Sequence, residues 1–236
     1  MSAEVKVGPI WILWFQGWDK APPVCQHVRE SWIRHNPDWE LKSLEESYFS
    51  SWSFNSGISD QARSDLVRLN LLSDFGGVWA DATCACMRSL DAWLPEYLEV
   101  ADFWMYHGRD GGRGPCSWFM ASKKDSYIAT TWRDAAMRHW EGGFSVSPLG
   151  YFWMDALFSK LLESDERFAA EWAKVPYLWC EGLGSSHMLA GITDNDDPGL
   201  QEILRAAPPH VVKLSHYSQQ GGDPFGPNAQ VAVGIR

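Results

Sequence analysis

The run from residue 59 to residue 83 constrains the fold more than any other part of this chain. Within it Ala62, Leu66, Leu69 and Leu72, with Val67 and Leu71 beside them, recur at the spacing of one helix face. Gly76-Gly77 ends that run as a helix C-cap does. Val78-Trp79-Ala80 then reads as a short buried strand whose carboxyl end is Asp81. A helix that feeds directly into a buried strand ending in an acid is a unit of an α/β sheet, and such sheets bind ligands at the carboxyl ends of their strands.

The rest of the chain extends the same alternation. Residues 10–15 are short, apolar on both faces and followed by Gln16-Gly17, which predicts a buried first strand and a tight loop. Pro22-Pro23 opens a helix that runs to His35 and stops at Asn36-Pro37. Residues 39–44 alternate as a second strand, 84–90 continue as extended chain, and 102–106 and 117–121 are further strands. Helices are expected over 126–140, 151–163 and 200–206, with a last strand at 210–214. The Gly-rich stretches 108–114 and 221–226 read as loops. The expected architecture is one α/β domain with a parallel or mixed sheet and helices on both faces, a size that suits 236 residues.

Charge and composition narrow the function. A net charge of −10 argues against a protein that gains affinity by neutralising a nucleic-acid backbone, so no nucleic-acid partner is expected. A bound phosphate must be met by a few placed groups or a metal. Fifteen tryptophans are unusual for one domain. Most are read as core, while Trp14, Trp18, Trp118 and Trp153 flank polar motifs and are candidates to line a groove against a sugar or base. The five cysteines at 25, 84, 86, 116 and 180 lack Cys-x-x-Cys spacing and are read as reduced thiols. The start of the chain carries no basic region followed by a long apolar stretch, and residues 10–15 are too short to span a bilayer. The expected location is therefore cytoplasmic, with peripheral contact at the inner face of a membrane compatible with exposed Trp.

Asp65 and Arg68 stand three apart on one helical face, where they can pair with each other or jointly address a ligand. An exposed pair of that kind contributes little. Here the helix leads straight to Asp81, and an Asp-Arg pair beside a strand end can hydrogen-bond sugar hydroxyls, Asp accepting and Arg donating. Asp81 stands where a carboxylate can hold Mg²⁺ or Mn²⁺ against the phosphates of a nucleotide sugar, although an acid after a strand also serves as a turn residue or N-cap.

The chain resembles the capsular-polysaccharide-synthesis sugar transferases, close to glycosyltransferase family 32 and more distantly the glucosylating clostridial toxins. The resemblance is carried in order by Ile10-Trp11-Ile12-Leu13-Trp14-Phe15-Gln16-Gly17, by Ser31 through Glu40, by the block from Ser64 to Thr83, by Ser89-Leu90-Asp91-Ala92-Trp93, by Ser117 through Ser122, and by Tyr151-Phe152-Trp153-Met154-Asp155. It covers most of the chain and thins after Trp179. It implies a GT-A-like fold, a mixed and mostly parallel sheet flanked by helices, with residues 1–122 on the nucleotide-sugar side and 123–236 forming a mostly helical acceptor side with the last strand.

The same resemblance implies a retaining transfer of a sugar from a nucleotide donor, with a UDP-sugar favoured over a GDP-sugar, onto an oligosaccharide or lipid-linked saccharide. Asp65 and Arg68 match the pair that holds the donor sugar. Asp81 matches the first acid of an Asp-x-Asp metal motif, with Ala82 and Thr83 completing the turn. Trp14, Gln16 and Gly17 fall at the loop that cradles the nucleoside. Thr83 departs from the commoner second aspartate, and a hydroxyl is a poorer metal ligand, although Asp-Ala-Thr is familiar in the capsular branch. His216 is then the candidate for the missing metal ligand, against the alternative of a surface or capping residue. Asp155 either faces the acceptor or the reacting carbon, or is a first-turn Asp favoured by the helix dipole. His107 and Arg109 either meet the diphosphate or are exposed loop residues. Two rivals stand beside this reading: a non-catalytic saccharide- or nucleotide-binding domain of the same fold, and a transferase with a protein acceptor.

Overall fold

The computed structural model describes residues 7–54, 57–107, 116–178, 202, 205–206, 208–214 and 227–234. Five strands, β1 (Ile10–Leu13), β2 (Leu41–Leu44), β3 (Gly77–Ala80), β5 (Phe103–Tyr106) and β6 (Cys116–Ser122), form one sheet in the order β2-β1-β3-β6-β5. β1 pairs in parallel with β2 and with β3. β6 runs antiparallel to β3 and to β5, so four of the five strands share one direction. The sheet is mixed, with most of its strands in one direction, and helices flank it, as expected. Strands β4 (Cys84–Cys86) and β7 (Val211–Lys213) form a separate antiparallel pair.

Among the described residues the helices include α1 (Pro23–His35), α2 (Asp60–Phe75), α3 (Leu94–Val100), α4 (Tyr127–Trp140), α5 (Trp153–Ser164), α6 (Glu166–Trp172) and α7 (Pro227–Ala232). α1 and α2 cover opposite faces of the sheet. Trp32 of α1 stacks on Phe119 with ring centroids 6.0 Å apart, whereas the Arg68 guanidinium of α2 lies 5.1 Å from the centre of the Trp79 ring. The register pairs Ala80 with Phe119 and Trp79 with Met120, which puts Trp79 and Phe119 on different faces because successive strand residues alternate.

The segment that anchored the sequence reading folds as its pattern requires. Ser59 caps α2 by accepting from the Ala62 N–H at 3.3 Å, and Gly76 ends the helix with φ 69° and its N–H on the Leu72 carbonyl. Both glycines are forced by close approach. A Cβ on Gly76 would stand 2.6 Å from the Lys124 nitrogen, and one on Gly77, whose φ is +101°, would stand 2.2 Å from the Pro9 carbonyl oxygen. The Trp11 indole donates to the Gly76 carbonyl at 2.9 Å, locking the end of α2 against β1. β3 can therefore lie in the middle of the sheet with every residue buried.

Some expectations need correction. β1 ends at Leu13, and Trp14 and Phe15 already belong to the following turn, while β2 begins at Leu41 rather than at Trp39. Extended chain after β4 stops at Cys86, and α5 begins at Trp153 because Tyr151 and Phe152 form a turn. Helices α3, α6 and α7 were not anticipated; each is seven residues or shorter, too little for a period of 3.6 to declare itself. The helix expected over 200–206 falls mostly on residues outside those described. Of the four tryptophans proposed as groove lining, Trp18, Trp118 and Trp153 are buried. Trp18 donates to the Leu44 carbonyl and Trp118 stacks on Tyr106, so packing accounts for these two, while Trp153 stacks on His139 and also hydrogen-bonds Asp65. Cys25, Cys84 and Cys86 are buried free thiols, and Cys180 lies outside the described residues. Among the described residues no helix is long and apolar enough to cross a membrane.

Candidate active site

At the carboxyl edge of β3 the chain leaves the sheet, and Asp81 is held there by its own N–H on the Trp118 carbonyl and by the Cys84 N–H on the Asp81 carbonyl. Three side chains converge on its carboxylate. The Trp79 indole donates to Oδ1 at 3.0 Å, Arg68 Nη2 approaches Oδ1 at 3.2 Å, and Lys213 Nζ meets Oδ2 at 2.7 Å. The same Lys213 ammonium donates to Thr83 Oγ1 at 2.8 Å. Arg68 Nη2 also reaches Asp65 Oδ1 at 3.0 Å, while its Nη1 donates to the Ser117 carbonyl at 2.8 Å. Asp65, Arg68 and Asp81, which the sequence pattern placed on one helix and one strand end, thus meet through one guanidinium.

The two acids are unequal. Burial pushes the Asp65 carboxyl up to about 7, against the pull of Arg68; the nearby Asp81 and Asp155 charges add to the rise, and a hydrogen bond from Trp153 opposes it. Asp81 is also raised by burial, but Lys213 and Arg68, together with the hydrogen bonds from Lys213 and Trp79, outweigh that and hold it below the usual carboxylate range. Near neutral pH the site therefore pairs a firmly ionised carboxylate with one poised to change charge, an inequality typical of functional clusters.

The first turn of α5 brings Trp153 and Asp155 to Asp65, so Asp155 stands on the site's edge as well as at a helix start. The loop after β1 lies at the same sheet edge, since β1 and β3 run parallel. Gln16 Nε2 donates to Asp60 Oδ2 at 2.8 Å, tying the loop to the start of α2, and Gly17 has φ 91°. Trp14 is partly buried at this loop, and Ala82 is partly exposed in the turn after Asp81. Arg68 and the turn of Asp81 connect directly; the loop at Trp14, Gln16 and Gly17 is joined to them through α2. His107 packs between Trp172 and Tyr177 at 4.6 and 4.5 Å, away from a free loop position. Arg109 and His216 lie outside the described residues.

The residue that sequence reasoning missed is Lys213. It stands three positions before His216. Its position follows from pairing: β7 lies antiparallel to β4 with Lys213 opposite Cys84, and the Leu214 N–H bonds the Thr83 carbonyl at 2.7 Å. β4 is itself pinned by the Trp32 indole on the Cys84 carbonyl at 2.7 Å. The only sequence signal was a lysine inside a short apolar strand, where its charge needs a partner.

Asp81 and Thr83, expected to ligate Mg²⁺ or Mn²⁺, are engaged in this arrangement by the protein's own donors. Here both Asp81 oxygens and the Thr83 hydroxyl accept hydrogen bonds, and two of the donors are cations. No group of three or more His, Cys, Asp or Glu that could hold a metal occurs among the described residues.

Acids and cations are gathered at the carboxyl edge of a central strand, the place where open α/β sheets bind their ligands. The family model described as capsular polysaccharide synthesis protein matches residues 2–216, and the chain belongs to that family. It is similar to the O-glycosyltransferase braB of Annulohypoxylon truncatum, 28% identical over 163 residues, 58% of this chain and 38% of that protein. It is likewise similar to the glycosyltransferase afumC of Aspergillus fumigatus, 27% identical over 164 residues, 58% of this chain and 42% of that protein. The chain thus spans about two fifths of the length of these curated relatives. A glycosyltransferase involved in the glycosylation of the major capsid of PBCV-1 has a crystal structure that aligns with a TM-score of 0.44 and 12% identity, covering 73% of this chain and 82% of that one.

Proposed function

We propose that this chain is a glycosyltransferase that moves a sugar from a nucleoside-diphosphate donor to a saccharide hydroxyl, with retention of configuration, in the synthesis of a capsular or other surface polysaccharide. The observation that carries the reading is the meeting of Asp65, Arg68, Asp81 and Lys213 at one sheet edge, in a chain whose relatives are named glycosyltransferases.

In this reading the donor's diphosphate lies toward the Arg68 and Lys213 cations, where negative charge grows as the glycosidic bond breaks and where fixed positive groups stabilise it most. Asp65, ionised above about pH 7, accepts from the donor sugar's hydroxyls and fixes its orientation. The acceptor hydroxyl attacks from the side of the departing phosphate, which takes the proton. In the same reading Asp155, whose charge is felt at Asp65, faces the acceptor. Trp14 and Gly17 flank the nucleoside.

The test is turnover of a panel of UDP- and GDP-sugars, with and without MnCl₂ and with short oligosaccharide acceptors, read as release of nucleoside diphosphate. One donor should be consumed, and Asp65→Ala and Asp81→Ala should each remove the activity. If no donor is turned over and no nucleoside diphosphate raises the melting temperature under any condition, the reading is wrong and a binding-only domain of the same fold takes its place.

A further inference from the structure

We infer that Lys213 serves as this enzyme's built-in cation: its ammonium occupies the position that a divalent metal would take between Asp81 and Thr83, and it binds the donor's diphosphate directly. The inference rests on the nucleotide-donor reading above and names the group that meets the phosphates.

Three observations carry it. First, Lys213 Nζ makes two short hydrogen bonds, 2.7 Å to Asp81 Oδ2 and 2.8 Å to Thr83 Oγ1, and these are the two side chains at the metal-motif turn. Second, an ammonium has three N–H donors. Two are spent on Asp81 and Thr83, and the third has no partner among the described residues. The Lys213 side chain is 13% exposed and the Asp81 side chain 23%, so the group is held in place while open on one side. Third, Thr83 suits a lysine better than a metal. A hydroxyl accepts readily from an ammonium, while it is a weak ligand for Mg²⁺ or Mn²⁺. A lysine held between Asp81 and Thr83 needs no second carboxylate, since its single charge is met by Asp81 alone.

The electrostatics agree. Asp81 faces Lys213 from β7 and Arg68 from α2, with the Trp79 indole completing its shell and Asp65 on the far side of Arg68. A divalent ion added at Asp81 would stand beside two positive charges already within hydrogen-bonding distance of the same carboxylate. A diphosphate arriving at that edge would instead meet one ammonium and one guanidinium, with no ion to recruit from solution.

The experiment is isothermal titration of the full chain with uridine diphosphate and with guanosine diphosphate, in EDTA and again in MnCl₂. The inference expects one of them to bind in EDTA with an affinity within about threefold of that in MnCl₂. Lys213→Met should weaken binding in EDTA by about tenfold to a hundredfold, the effect of losing one hydrogen bond to a charged group, and Lys213→Arg should lose less. Binding by the wild type that vanishes in EDTA and returns with MnCl₂ overturns the inference and leaves the nucleotide-donor reading intact. Binding in neither condition overturns both. Lys213→Met that binds in EDTA as the wild type does overturns the role of this lysine. The comparison of wild type with and without EDTA stands even if the Met variant fails to fold.

Discussion

Replacing Asp81 with Asn keeps the side chain's size and removes the charge on which two cations depend. At an effective dielectric near 20, the attraction is about 6 kcal/mol for Lys213 at 2.7 Å and about 5 kcal/mol for Arg68 at 3.2 Å. The cost of drying these groups offsets much of that. Removing one member of a buried pair still costs about 3–5 kcal/mol because the other charge is stranded. The lower end applies here, since the Asp81 side chain is 23% exposed and Arg68 keeps Asp65. Asp81 has a folded pKa below its ordinary 3.8, so its contribution is present above that value and disappears as pH falls through the folded pKa. The loss caused by Asp81→Asn should therefore be complete at pH 7 and shrink below about pH 4. Urea denaturation of Asp81→Asn, Lys213→Met and the double variant measures the coupling, expected to be at least about 1.5 kcal/mol at pH 7. A coupling under about 0.5 kcal/mol would show that the contact is incidental and would refute the argument.

Asp65 behaves in the opposite sense. Its folded pKa of about 7 lies above its ordinary 3.8, so the stability it contributes is full below 3.8 and is lost as pH rises through about 7. Asp65→Asn should gain on the wild type by about 1–3 kcal/mol between pH 5 and pH 8, seen as a melting-temperature difference that widens with pH; a difference that stays flat removes the assignment. Gly77→Ala should cost at least about 3 kcal/mol, because backbone at 2.2 Å cannot yield and φ is +101°. Soluble expression with a wild-type melting temperature would contradict it.

Local sequence signals were enough to define the segment that builds most of the site. Residues 60–81 carry a helical period, a pair of glycines and a buried triplet, all local signals, and α2, Gly76-Gly77, β3 and Asp81 appear where those signals put them. Asp65 and Arg68 were legible for the same reason, since three residues of helix bring them side by side. The tryptophans were less legible: burial of Trp18, Trp118 and Trp153 depends on groups from other elements, which composition does not reveal. The partner of Asp81, by contrast, was set by long-range folding. Lys213 lies 132 residues away in sequence and reaches it because β7 pairs with β4, which α1 pins through Trp32. Strand pairing at that separation leaves no periodic trace in either strand. The local pattern could therefore place the acid, while the cation facing it was set by sheet register.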